Sequence, residues 1–342
     1  MESARTLKAS GARSGSRQRM EMLVPPVIGG LLLLIALLGL IGTAIRDPRP
    51  HDITVGLVGP ASAVQQISAA FGTNAPGAFQ FTTYDSELEA RAAIDSRAVD
   101  GVLVLGSPPR LIVAGAAGDA ATGVITAALT NVFKPQGVTP EVEVVHPFAA
   151  GDAHGLILFF VVVAVIVSAL VSQALLLGIA GDAGFGTRLT VAVVFALLAG
   201  ITAMGTAAWI ADDYASGFWT AVGLVMLGAL AVGTVVAGCA RLLGPPGIGL
   251  AALVVVLLGL VSSGGPVGSQ LLPDFYRALS PWMPAGPLYS ALRGALYFDG
   301  AGLGTPLLVL FGWIAGGLVL MLLAELVASR RRSPAASLTP AR

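Results

Sequence analysis

The sequence predicts a polytopic α-helical membrane protein with about six transmembrane helices. It also predicts an extracytoplasmic α/β domain between helices 1 and 2, and a broken outer hairpin between helices 5 and 6. Three observations carry this. Of the 342 residues, 55% are hydrophobic and only 11% are charged, with a mean hydropathy of +0.84. A soluble domain carries about 25% charged residues. Several apolar runs reach the roughly 20 residues that a helix needs to cross a bilayer. Between the first and second of them lies a stretch of about 100 residues where most of the acids sit and strand and helix patterns alternate.

Residues 1–22 form a polar tail with Arg5, Lys8, Arg13, Arg17 and Arg19. Leu23–Ile45 is the first apolar run. A cleaved signal peptide is the rival reading, with Gly42, Thr43 and Ala44 as a small-residue cleavage site. A signal core is about 7–15 residues, and this run is longer, which favours an uncleaved first helix.

Residues 46–153 read as the α/β domain. Strands are expected at Ile53–Val58, Ala78–Tyr84, Val99–Leu105, Arg110–Ala114 and Glu141–Val145. Helices are expected at Ala61–Phe71, Ser86–Arg97 and Asp119–Phe133, the last with Asp119 as its N-cap. Glu87 and Arg91 stand at helical spacing for an ion pair. The remaining spans are expected at 154–180, 189–211, 217–240, 247–263 and 304–328, followed by a tail at 329–342 that opens with Arg330, Arg331 and Arg332.

Residues 264–303 are apolar but interrupted by Pro266, Pro273, Pro281, Pro284 and Pro287. Proline removes an amide donor and clashes with the preceding turn, so no single spanning helix fits. Two short helices fit instead, near Leu271–Leu279 and Pro287–Tyr297. The aromatic residues Phe275, Tyr276, Trp282, Tyr289, Tyr297 and Phe298 suit the headgroup level. The hairpin either dips into the membrane or lies flat on it.

Orientation follows the basic residues at span ends. With the N-terminal tail inside, Arg188, Arg241 and the C-terminal arginines also fall inside, and both termini are cytoplasmic. The α/β domain and the hairpin then fall outside; Arg46 and Arg49 are a small counter-signal. Small residues at four-residue spacing, Gly312 with Gly316 above all, predict close helix packing within the subunit or at an oligomer face.

Several chemistries lack the residues they need. No G-x-x-x-x-G-K-[ST] loop surrounds Lys8 or Lys134, so no P-loop is present. No catalytic constellation is evident, and an enzyme is not expected. His51, His146 and His154 match no compact metal-ligand spacing. Cys239 is the single cysteine, so no disulfide can form within the chain. The basic residues are too scattered for nucleic acid. The spans hold almost no ionisable groups. Glu325 sits beside the arginine cluster, and Gln173 is expected to bond between helices.

The layout, with three stretches of sequence, resembles the ABC-2 type membrane proteins. The likeness is to the YhgE/Pip, or phage-infection-protein-like, branch and its DUF3533-type relatives. The stretches are Ala98–Gly106 (AVDGVLVLG), His146–Gly155 (HPFAAGDAHG) and Ser263–Arg293, which contains Leu271–Phe275 (LLPDF) and the run from Tyr289 to Arg293. The resemblance implies a permease subunit in a bacterial plasma membrane. Such subunits pair as a dimer, contact membrane lipid, and take ATP only through a separate ABC ATPase. No cofactor of the chain's own is implied. The loop 181–188, with Asp182 and Arg188 as cytoplasmic contacts, is short for a coupling helix. Pro266, Leu272, Pro273, Phe275, Trp282, Pro284 and Tyr289 form the expected outer gate. Two functions fit. One is export of a hydrophobic or lipid-like substrate. The other is a non-transporting envelope protein whose outer domain binds a partner, a wall component or a phage.

Overall fold

The computed structural model describes residues 28–32, 34–44, 46–214 and 216–332. The expected N-terminal tail and residues 333–342 lie outside them, as do residues 23–27 of the first apolar run. The apolar helix α1, Ile28–Ala44, belongs to a first compact unit.

Residues 47–332 belong to a second compact unit. Its first part is an α/β domain. The strands are β1 (Ile53–Val58), β2 (Phe79–Tyr84), β3 (Gly101–Val104), β4 (Arg110–Ala114) and β5 (Glu141–Val145). Their order is β2-β1-β3-β4-β5. β1 runs parallel to β2 and β3, β3 and β4 form an antiparallel pair, and β5 is parallel to β4. The helices are α2 (Ala61–Asn74), α3 (Glu87–Asp95) and α4 (Asp119–Phe133).

Strand side chains alternate between faces. Ile53, Val55, Leu57, Leu103, Leu111 and Val113 therefore form one core with Val64 and Ile67 of α2 and Ile125 and Leu129 of α4. Val102, Ile112 and Ala114 face the other way, against Ala90 and Ile94 of α3 and against Phe298 from the far end of the chain.

Arg91 of α3 bonds Glu87 one turn back, as the spacing predicts, and also Glu143 on the edge strand β5; Arg110 of β4 bonds Glu87 as well. The bond from Arg91 holds the Glu143 carboxyl below its usual range, against a smaller opposing effect of burial. A depressed carboxylate pKa stabilises the fold above the unfolded value, about 4.3, and that contribution is lost as pH falls through the folded value. Glu143→Gln is therefore expected to melt at a lower temperature than the wild type at pH 7. As pH falls below the unfolded value and through the folded one, the gap should close, as thermal melts across the acid range will show.

α4 corrects one detail. Gly118, not Asp119, holds its N-cap position, and no side chain caps it. Asp119 instead bonds Nδ1 of His154 at 3.1 Å.

Among the described residues, five helices are long and apolar enough to cross a membrane. They are α5 (Leu156–Ile179), α6 (Phe185–Ala211), α7 (Phe218–Leu243), α8 (Pro245–Ser262) and a last helix, Gly304–Arg332. Mean hydropathies of 2.1–2.8 over their best windows mark a polytopic membrane protein. α7 is the hub. Its best window is 72% buried, against 28% for α6 and 22% for the last helix, which turn most of their apolar surface outward. Within α8, Ala252–Leu258 is wound as a π-helix.

Between α8 and the last helix, two 3-10 turns (Gly265–Val267 and Ser269–Leu271) lead into α9 (Asp274–Leu279) and α10 (Ala285–Tyr297). The last helix is α11. The proline breaks thus give two short helices as the sequence predicts, with α9 starting after Pro273 rather than before it.

Of the two expectations for the G-x-x-x-G pair, packing within the subunit is not what the chain shows. A Cβ on Gly312 or Gly316 would meet nothing within 4 Å. The close approach of α11 to α7 falls at Gly317, where a Cβ would lie 2.3 Å from Thr234 Oγ1, and opposite Gly238, where it would meet Leu320 at 2.7 Å. Gly200 of α6 also packs closely, since it abuts the Val222 carbonyl and Met226 of α7.

Candidate functional site

The hairpin of α9 and α10 is wedged into the bundle at the end that carries the α/β domain. Two contacts measure how far it reaches. The Trp313 indole donates to the Trp282 carbonyl at 2.7 Å. Trp313 lies about 13 Å along α11 from its start at Gly304, taking about 1.5 Å per residue. Gly228 lies about 15 Å along α7 from Phe218, and Leu288 fills the space where its Cβ would be. At the other end of α10, Gly217 lies against the Ala295 carbonyl. α10 therefore runs from the middle of the bundle back to its domain-side end.

There the hairpin meets the domain. Phe298, 3% exposed, completes the second core of the sheet. The His51 amide donates to the Gln270 carbonyl at 2.9 Å, and Gln270 Nε2 donates to Asp100 at 2.8 Å. Arg277 of α9 bonds both Asp52 and Asp274. The Asp52 carboxyl is held below its ordinary value, first by the bond from Gln80 and then by Arg277, with burial opposing.

A buried polar chain ties down the start of α5. The Asp152 carboxylate accepts the Leu156 amide at 2.7 Å and the Ile157 amide at 3.1 Å, so it caps that helix. Tyr214, in the α6–α7 link, donates to Asp152 at 3.1 Å, and Tyr297 of α10 donates to Tyr214 at 3.4 Å. Burial, helped by these neighbours, pushes the Tyr214 hydroxyl well above its usual pKa.

Between domain, hairpin and the start of α11 lies a cavity of about 520 Å³. Arg97, Arg277 and Arg293 line it with Ser280, Ser290 and Thr305, and among the described residues no acid belongs to its lining. Its volume falls in the roughly 300–1,000 Å³ range of small-molecule sites. A second space, of about 800 Å³, is an apolar groove between α5 and α6, walled by Phe160, Val165, Leu198, Ala203 and Ile210.

Of the expected gate residues, Leu272 (2% exposed), Pro284 and Tyr289 are buried, and Pro273 is half-buried. Phe275 of α9 and Trp282, in the turn between α9 and α10, are exposed. Pro266 lies in the first 3-10 turn. Tyr289 is the one that reaches the cavity, and its hydroxyl donates to the Gly155 carbonyl at 3.3 Å.

At the opposite end of the bundle, Asp182 is exposed, but Arg188 is not the surface contact expected of it. It falls in the first turn of α6 and is fully buried. Its Nε donates to the Ala183 carbonyl at 3.0 Å and its Nη2 to the Gly181 carbonyl at 3.2 Å, which closes the α5–α6 turn. Gln173 of α5 donates to the Arg188 carbonyl at 3.5 Å, the interhelical bond its position predicts. Glu325 pairs with Arg241 of α7 at 3.5 Å.

The three histidines stay apart. His146 bonds Asp95 at 2.7 Å, His154 bonds Asp119, and His51 stands 3.9 Å from Asp274. Among the described residues no three metal-ligating side chains come together. No family model matches the chain, and no curated protein matches it.

Arg97 and Arg293 were the residues least visible in the sequence. They stand 196 positions apart and meet only because α10 docks on the end of α3. One local signal does exist. Arg97 has φ +61°, the left-handed position after a helix where glycine or asparagine is usual.

Proposed function

We propose that this chain is a membrane permease subunit that moves a lipid-like amphiphile outward through a bacterial plasma membrane. In this reading the α/β domain and hairpin face outside and both termini face the cytoplasm. The observation that carries it is the broken hairpin wedged about 13 Å into the bundle beneath the α/β domain. Irregular backbone at that depth survives only against protein or a wet cavity, and here the hairpin lies against protein and an arginine-lined cavity. The apolar groove of α5 and α6 offers a path for hydrocarbon, and the charge-poor bundle suits hydrophobic cargo better than ions. The likeness to the ABC-2 layout adds a separate ATPase as the source of energy. It also adds a second copy of the chain, for which the open face at Gly312 and Gly316 leaves room.

A specific observation favours a second reading, in which the outer domain binds an envelope partner and the bundle anchors it. The α5–α6 turn spans only residues 180–184, and Arg188 is spent inside it. That leaves little surface for an ATPase to grip. A mild-detergent pull-down of the tagged chain, read by mass spectrometry, separates the two. The permease reading expects a nucleotide-binding subunit in stoichiometric yield. Repeated recovery of envelope proteins alone, with amphiphile export unchanged after ATP depletion, would overturn it.

A further inference from the structure

We propose that the cavity beneath the α/β domain is a binding site for a phosphate-bearing anion, gripped by Arg97 and Arg293. The two arginines carry the argument because their charges are at most partly offset. Arg277, the third arginine of the cavity, is neutralised by Asp52 and Asp274. Among the described residues, neither Arg97 nor Arg293 has an ion-pair partner. Asp100 offsets part of the Arg97 charge through space without pairing with it, its carboxylate being bonded by the Thr54 hydroxyl at 3.0 Å and by Gln270 at 2.8 Å. Burial, together with the neighbouring charge of Arg293, brings the Arg97 guanidinium down to about 10. It is still a cation at neutral pH. Two half-buried like charges side by side are costly, and an anion between them removes the cost.

The donors that remain have the right geometry. Arg293 spends Nη1 on the Ala116 and Ala117 carbonyls, and its plane lies 4.7 Å over the Tyr289 ring. Its Nε is buried with no partner. Nε and Nη2 form one edge of the guanidinium, the edge that takes two oxygens of an oxyanion at once. Arg97 spends Nη1 on the Ser290 and Ala301 carbonyls and one Nη2 hydrogen on Ser290 Oγ, and it stacks 5.3 Å from Phe298. Its Nε edge is unspent. Hydroxyls of Ser280 and Thr305 line the same space. Donors from just past the ends of α3 and α9, from α10 and from α11 line the same space, and such a set suits a tetrahedral anion better than a flat carboxylate.

The backbone says the same. Glycine is the cheap residue at φ +61°, yet arginine stands there. Gly302, at φ +75°, and Gly294 leave room around its Nη1: a Cβ there would lie 3.2 and 2.9 Å away.

A lipid headgroup and a free phosphate share this chemistry, so the test has an arm for each. The full-length protein is placed in neutral-lipid nanodiscs. Retention of phosphatidic acid against diacylglycerol is measured by native mass spectrometry, and binding of inorganic phosphate by calorimetry. Arg97→Gly removes the guanidinium at a position whose backbone favours glycine. Arg293→Lys keeps the charge but loses the two-oxygen edge. The exposed Lys134→Gln is the charge control. Each arginine variant is expected to weaken binding about tenfold, the size of one charge-assisted contact, while the control leaves it unchanged. Loss in the lipid arm assigns the site to a headgroup, and loss in the calorimetric arm assigns it to a free anion. Failure of the wild type to bind either, or wild-type binding by a folded Arg97→Gly variant, overturns the proposal. The site does not depend on an ATPase, so a negative pull-down leaves it standing.

Discussion

Gly217→Val is expected to abolish folded protein in the membrane. Gly217 opens α7 at φ +71°, a left-handed backbone that a β-branched residue adopts only with strain. The steric term is larger. A Cβ there would lie 2.0 Å from the Ala295 carbonyl oxygen and 2.9 Å from its carbon. Both obstacles are backbone, so no side-chain rotation can relieve them. α10 would have to leave its seat on α7, and with it Leu288 would leave Gly228. Strain and lost packing together amount to about 4 kcal/mol or more, a large share of a typical total stability. Detergent-extracted material should aggregate on size-exclusion chromatography, whereas Gly223→Ala, where a Cβ meets nothing within 4 Å, should run as the wild type.

Phe298→Ala is expected to loosen the α/β domain from the bundle without unfolding the sheet. Phe298 lies beyond the end of α10, yet its ring is packed with Ile94, Val102 and Ile112 of the domain. It also stacks on His146 at 4.7 Å and on Arg97. Truncating a buried phenylalanine costs about 3–5 kcal/mol. Here the loss falls on the junction, because the other core of the sheet, under α2 and α4, does not include it. Limited proteolysis should cut the link at residues 146–155 much faster in the variant, and a domain fragment should accumulate.

Local features of the sequence were legible and those set by docking were not. β1, β4 and β5 fall at their expected bounds because alternation and flanking turns are local signals. The long apolar helices were legible for the same reason. Arg188 was misread because glycines in GDAGFGTR look like loop, whereas the helix begins at Phe185 and folds the side chain inward. For Gly312 and Gly316, a four-residue spacing gives a shared helix face but not which way that face points. One residue further, about 100° around the helix, is the face that meets α7. The arginine pair needed the whole fold, since α3 and α10 carry no mark of each other in sequence.

The hairpin is the centre of this account, because the cavity, the junction and the proposed path all depend on how deep it sits. The direct measurement is its depth in a bilayer. Cys239 is replaced by Ala, and single cysteines are placed at Trp282 on the hairpin apex and at Asp299 beyond α10. Each carries a nitroxide, and relaxation by dissolved oxygen is compared with relaxation by a water-soluble nickel chelate. The account predicts that the label at 282 is relaxed by oxygen and shielded from the chelate, while the label at 299 is exposed to the chelate. Equal exposure of both labels to the chelate would mean a hairpin lying on the surface, and would contradict it.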